Sequence, residues 1–138
     1  MSPFLSIIIP IYNVQEDYLK KCLDSLIIQD MDNFIIIAIN DGSTNKCGEI
    51  CDEYAKKYSN RLKVVHQKNS GVSVARNKGI ILANTEWITF VDPDDWVERD
   101  YISTIYNEIQ NNQADIYLFD YYQEYANKQF IKKLMKES

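Results

Sequence analysis

Histidine is nearly absent from this chain, with one among 138 residues, and glycine and cysteine are scarce, at four and three. Each shortage excludes something. His66 has no Cys, His or Asp at metal-ligand spacing, so it reads as a packed or surface side chain rather than a catalytic one. Neither Gly-x-Gly-x-x-Gly nor Gly-x-x-x-x-Gly-Lys-Ser/Thr occurs, which removes the usual grounds for an NAD site or a P-loop. Basic side chains are outnumbered, 15 against 20 acidic ones, whereas a nucleic-acid binder needs a basic face to displace phosphate counterions. Long apolar runs are missing too: the longest, Phe34 to Ile39, falls far short of the roughly 20 residues that cross a bilayer.

Pro10 and Asn13 interrupt the apolar N-terminal stretch and no basic segment precedes it, so it does not read as a signal peptide. The expectation is a cytoplasmic chain with no transmembrane segment, whose Cys22, Cys47 and Cys51 stay reduced. Cys47 and Cys51, four apart on a predicted helix, could meet one metal, but no second ligand pair accompanies them. They read as small core residues.

What is present is alternation. Apolar runs at Leu5 to Pro10, Phe34 to Ile39, Leu62 to His66, Trp87 to Val91 and Ile116 to Tyr121 predict strands. Between them, apolar residues recur at helical spacing around Tyr18 to Ile27, Cys47 to Tyr58, Val72 to Leu82 and Tyr101 to Gln110. The pattern predicts one α/β domain, a mostly parallel sheet between two layers of helices. In such sheets ligands bind beyond the carboxyl ends of the strands. Those ends lead into Pro10-Ile11-Tyr12-Asn13, Asn40-Asp41-Gly42-Ser43, Gln67-Lys68-Asn69-Ser70-Gly71 and Asp92-Pro93-Asp94-Asp95.

Of these, the acidic loop points most directly to chemistry. On extended backbone Asp92 and Asp94 share a side, and two carboxylates so placed repel unless a cation joins them. Mn²⁺ or Mg²⁺ prefers such oxygens and completes its shell with water and ligand phosphates. Pro93 fixes its own φ and keeps Asp92 extended. The bland reading is that the acids end a strand, with Asp95 capping a helix that opens near Trp96 or Val97. Asn40 to Thr44 has the composition of a turn, with Gly42 suited to positive φ; alternatively Asp41 accepts a hydrogen bond from a nucleotide base. Tyr12 either packs on the first helix or stacks on that base. Arg76, one turn into a helix that opens at Gly71, either faces a diphosphate or makes a surface ion pair.

Ser6 to Asn13 (SIIIPIYN), Ile39 to Thr44 (INDGST), Asn69 to Gly79 (NSGVSVARNKG) and Phe90 to Trp96 (FVDPDDW) together closely resemble the family 2 glycosyltransferases of the GT-A fold, in order and spacing. The resemblance covers Leu5 to Trp96, and 98–122 looks like the family's next helix and strand. It implies a nucleotide-binding set of Pro10, Tyr12, Asn13, Asp41, Arg76 and Asp92. In it Tyr12 stacks near uracil, Pro10 frames the base, Asp41 bonds the ring and Asp92 holds the ribose. Asp94 coordinates the metal on the diphosphate. It also implies transfer of a sugar from a nucleoside diphosphate, most simply a UDP-sugar, to a polysaccharide or glycolipid hydroxyl with inversion. The family's catalytic base lies on a later segment; Asp115 and Asp120 are too near the fourth strand to match it, so no base is assigned.

The segment 123–138 departs from the family. Lys128, Lys132, Lys133 and Lys136 interleave with Phe130, Ile131, Leu134 and Met135, a pattern that fits an amphipathic helix at a membrane's inner face or on a partner. The favoured reading is instead the stub of an acceptor region, whose absence would expose apolar surface and favour homo-oligomers. The alternative to a working transferase is a module that binds nucleotide and metal and transfers nothing.

Overall fold

The computed structural model describes residues 2–111 and, beyond them, four short strands at 116–118, 123–124, 127–128 and 133–136. β1 (Leu5–Ile11), α1 (Glu16–Ile27), β2 (Phe34–Asp41), α2 (Cys47–Lys57), β3 (Leu62–Gln67), α3 (Val72–Leu82), β4 (Trp87–Phe90) and α4 (Tyr101–Asn111) follow in the predicted alternation. The isoleucine runs form the two central strands because β-branched side chains fit a pleated surface buried on both sides, and all seven residues of β1 are buried. Pro10 is tolerated within β1 because β4 pairs with β1 only over Leu5 to Ile8, leaving that flank of Pro10 without a ladder to interrupt.

The first four strands lie in the order β3-β2-β1-β4, all parallel. The chain winds outward from β1 to β3, and α3 then carries it back to set β4 on the far side of β1. This reversal places the switch point between β1 and β4, where a crevice opens at the carboxyl edge. Alternate side chains divide the core accordingly. Leu5, Ile7, Ile9 and Ile11 pack with α1, α2 and α4, while Ile8, Ile37 and Ile39 meet Ala75 of α3. The sheet is thus sandwiched, as the alternation predicts.

β5 (Ile116–Leu118) runs in the same direction as β4 but does not touch it. β8 (Lys133–Lys136) lies between them, antiparallel to both, and β6 (Gln123–Glu124) pairs with β7 (Asn127–Lys128) as a separate antiparallel ribbon. The helix contemplated for 123–138 is therefore not what the described part of that segment forms: its backbone pairs as strands. Residues 119–121 of the expected fifth strand, and Asp115 and Asp120, lie outside the described residues. No helix among the described residues is long and apolar enough to cross a membrane.

α3 lies unusually close to β1. A Cβ on Gly79 would come 2.4 Å from Cγ2 of Ile8, a side chain with no exposed surface. Alanine at a helical glycine ordinarily stabilises by about 1 kcal/mol. Here overpacking should win, and Gly79→Ala should cost about 2 kcal/mol. Urea denaturation of the two proteins measures the difference; a more stable variant would mean that α3 can lift off the sheet freely.

Candidate functional site

The acidic loop begins where β4 lets go of the sheet. Val91 N–H still donates to the Ile8 carbonyl (3.1 Å), and the chain then closes a turn in which Asp95 N–H donates to the Asp92 carbonyl (3.0 Å). Pro93 holds the second position of that turn, for which its fixed φ is suited. The acids are gathered by this turn and not by alternation along an extended strand, which is a correction to the route by which Asp92 and Asp94 were brought together. A second correction concerns Asp95. Residues 95–98 form no helix and α4 opens only at Tyr101, so no helix opens near Trp96 for Asp95 to cap; its carboxylate joins the cluster, and an oxygen from each of Asp92, Asp94 and Asp95 lies within 4.8 Å of the others.

Three carboxylates this close could hold a hard divalent cation, and their oxygen donors suit Mn²⁺ or Mg²⁺. Asp94 is the exposed member. Arg76 Nη2 is 3.8 Å from Asp92 Oδ1, with both side chains about two-fifths exposed, an ion pair too wet to hold much energy by itself. Its value is positional: it brings α3's cation to the edge of the acids.

α1 supports this turn from beneath, through residues that carry no motif. Burial, and then the charges of Asp95, Asp94 and Asp92, push the Cys22 thiol far above its ordinary range, so it stays protonated and donates to the Asp92 carbonyl (3.6 Å). Val97 N–H donates to Ser25 Oγ (3.2 Å). Gln29 Nε2 donates to the Glu98 carbonyl (2.6 Å), while its Oε1 accepts from Ile102 N–H at the start of α4 (2.9 Å). The available signal was polarity out of place: Ser25 is buried on the apolar side of α1, beside Cys22 and Leu26.

The other three loops enclose a cleft of about 170 Å³ whose walls include Pro10, Tyr12, Asp41, Asn69, Gly71 and Val72. Tyr12 is 52% exposed at its rim. Asp41 is 3% exposed and its carboxylate is fully engaged. Oδ1 accepts from Gln67 Nε2 (2.9 Å) and Ser70 N–H (2.8 Å); Oδ2 accepts from Gly71 N–H (3.0 Å) and Asn69 Nδ2 (3.3 Å). Burial pushes this carboxyl's pKa up, but the bonds from Gln67, Ser70 and Gly71 outweigh it and hold the pKa below 3.8. Asp41 therefore pins the β3–α3 loop as well as lining the cleft. Gly42, at φ 75°, passes so near this loop that a Cβ would meet the Asn69 nitrogen at 2.6 Å.

Asn13 adopts φ 49° and commits its polar groups to the β2–α2 loop. Its N–H donates to Ser43 Oγ (3.0 Å), and its Oδ1 accepts from Thr44 N–H (2.7 Å) and Asn45 N–H (3.3 Å). His66 is not without an acidic partner: its Nε2 is 2.7 Å from Asp52 Oδ1 and its Nδ1 2.9 Å from Asn40 Nδ2. Asp52, fourteen residues back on α2, escapes any local spacing rule. Cys47 and Cys51 are buried, Cys47 Sγ donates to the Val14 carbonyl (3.1 Å), and burial first, then Cys47 and Asp52, pushes the Cys51 thiol up to about 12. Among the described residues the acidic turn is the only group of three or more acidic, histidine or cysteine side chains close enough to share a metal ion.

The family model for glycosyl transferase family 2 matches residues 6–137. Glycosyltransferase GlyA of Streptococcus pneumoniae is 47% identical over 118 residues, which are 86% of this chain and 17% of that protein. The structure of S. aureus TarS 1-349 in complex with UDP-GlcNAc superposes with a TM-score of 0.78 at 30% identity, over 88% of this chain and 35% of that one. The mannosyltransferase PcManGT from Pyrobaculum calidifontis, in complex with GDP-Man and Mn²⁺, shares the fold with a TM-score of 0.77 at 19% identity, over 88% and 36%. The chain thus spans less than half the length of these relatives. Four strand-end loops converging on one crevice, a family model matched almost end to end and a relative nearly half identical lead to one assignment: this chain belongs to glycosyl transferase family 2.

Proposed function

We propose that this domain binds a nucleoside diphosphate sugar, a UDP-sugar, with Mn²⁺ or Mg²⁺, and serves transfer of the sugar with inversion to a polysaccharide or glycolipid hydroxyl. The observation that carries the reading is a juxtaposition. The Tyr12–Asp41 cleft, of a size for a pyrimidine, and the acid cluster flank the same crevice, and α3 links them: Val72 lines the cleft and Arg76 reaches Asp92. The spacing suits a ligand with a flat base at one end and a diphosphate at the other. TarS, 30% identical, is described with UDP-GlcNAc, which supports uridine as the nucleoside.

The residues divide the work. Tyr12 offers an exposed ring for stacking while Pro10 and Asn13 hold the wall beside it. Asp41 can accept from a base N–H by exchanging its longest bond, the 3.3 Å contact from Asn69. In this reading Asp92 would hold the ribose, Arg76, 3.8 Å from Asp92, would neutralise the diphosphate, and Asp94 with Asp95 would hold the cation. When bound, the cation supplies positive charge against the diphosphate as it departs, worth several kcal/mol to the transition state. No residue of this chain is assigned as the base that takes the acceptor proton, and none as the acceptor site.

Tyr12→Ala should weaken UDP binding about ten-fold, the scale of one base stacked on an aromatic ring, while leaving the gain from Mn²⁺ intact. Calorimetry of UDP with and without Mn²⁺, run beside donor-hydrolysis and transfer assays, tests the whole reading. Metal-enhanced UDP binding with turnover supports a transferase; binding without turnover favours a nucleotide-binding module; no binding at all rejects both.

A further inference from the structure

Asn40, His66 and Asp52 form a hydrogen-bonded line from α2 to the wall of the cleft, and each bond dictates the next. Ser43 N–H donates to Asn40 Oδ1 (3.2 Å), which turns Asn40 Nδ2 toward His66 Nδ1 (2.9 Å). An amide nitrogen only donates, so Nδ1 accepts, and the ring's single proton sits on Nε2, directed at Asp52 Oδ1 (2.7 Å). Gly48 of α2 closes the remaining side: a Cβ there would come 2.8 Å from Asn40 Nδ2. The far end of the line is the nucleotide wall, because Asn40 precedes Asp41 and Ser43 Oγ anchors the backbone of Asn13, next to Tyr12.

Resting on the donor reading above, we propose that Asn40 and His66 are positioning residues that set the β2–α2 loop for the nucleotide, and that proton uptake by His66 weakens nucleotide binding. A proton added at Nδ1 would place two donors face to face. The Asn40 amide must then turn over to offer Oδ1 to the ring, and its NH₂ is left opposite Ser43 N–H, which loses its acceptor. Of the groups that face the ring, Asp52 from α2 stays bonded to Nε2 in both states, Asn40 from β2 is uncharged and Gly48 has no side chain. The proton therefore acts on the Asn40–Ser43 end. The competent state holds fewer protons, so affinity should rise with pH as the ring gives up that proton.

UDP affinity in the presence of Mn²⁺ is measured from about pH 5 to 8 for the parent and for His66→Gln, whose side chain does not titrate. The ratio of the two affinities cancels the titration of the ligand's own phosphate. It should fall about five-fold from the alkaline to the acid end, the worth of one neutral hydrogen bond. In the parent without nucleotide, the Ser43 amide resonance should titrate together with the His66 ring, a readout that survives even if the variant folds poorly. A ratio that stays constant, or a Ser43 amide indifferent to the ring, overturns the proposal. Failure of UDP to bind at any pH overturns the donor reading and this proposal with it, and the nucleotide-free Ser43 measurement tells the two failures apart.

Discussion

Asp94→Ala is expected to erase the increase in UDP affinity that Mn²⁺ gives the parent, a loss of about 100-fold at saturating metal. Even the outer partners of metal ligands are worth 10–100-fold, so a direct ligand should reach at least the upper figure. The residue is exposed at the tip of the turn, where removing a side chain ordinarily changes stability by less than about 0.5 kcal/mol, so the effect should fall on binding alone. Asp95→Ala should also reduce the metal's contribution, because its carboxylate lies in the same cluster. Calorimetry with and without Mn²⁺ reads both. Equal enhancement by the metal in Asp94→Ala and the parent would remove that residue from the cation site.

Asp41→Asn should be the most destabilising single change at the site, by about 3 kcal/mol. The amide keeps the shape of the carboxylate but turns an NH₂ toward Ser70 N–H or Gly71 N–H, and a buried donor without an acceptor costs about 1–3 kcal/mol besides the charge-assisted bonds lost. Acid should narrow the difference. Because the folded-state pKa is held below 3.8, the carboxylate's contribution is fully present above that value and is lost as pH falls through the folded pKa. Urea denaturation should therefore separate parent and variant more widely near neutral pH than well below pH 3.8. A gap of the same size in acid would mean that the shape of the side chain matters here and its charge does not.

The fold could be read from the chain because its signals are repetitive. Isoleucine runs bounded by Pro10, Asn40 and Asp92 leave little choice but buried parallel strands, and Gly71 and Gly79 frame α3 where the helix begins and where it touches Ile8. The last segment could not be read the same way, since the pairing of Lys133–Lys136 with Trp87 and Ile116 depends on partners far away in sequence. At the site, residue types were legible and their duties less so. Tyr12, Asp41 and the acids lie where motif spacing puts them. Yet Asp41 holds a neighbouring loop, Asn13 turns away toward residues 43–45, Asp95 joins the acids, and Ser25, Gln29 and Asp52 act through contacts 14 to 73 residues apart. Such bonds follow from packing and leave no local pattern.

In the proposed arrangement one crevice receives a base at Tyr12 and a cation-bound diphosphate at Asp94. Soaking crystals with UDP and Mn²⁺ tests it. Uracil should stack on Tyr12 beside Asp41, and a cation should lie within direct coordination distance of an Asp94 oxygen, about 2 Å for a small hard ion. Nucleotide bound elsewhere on the domain, or a cation held away from the Asp92–Asp95 turn, would contradict it.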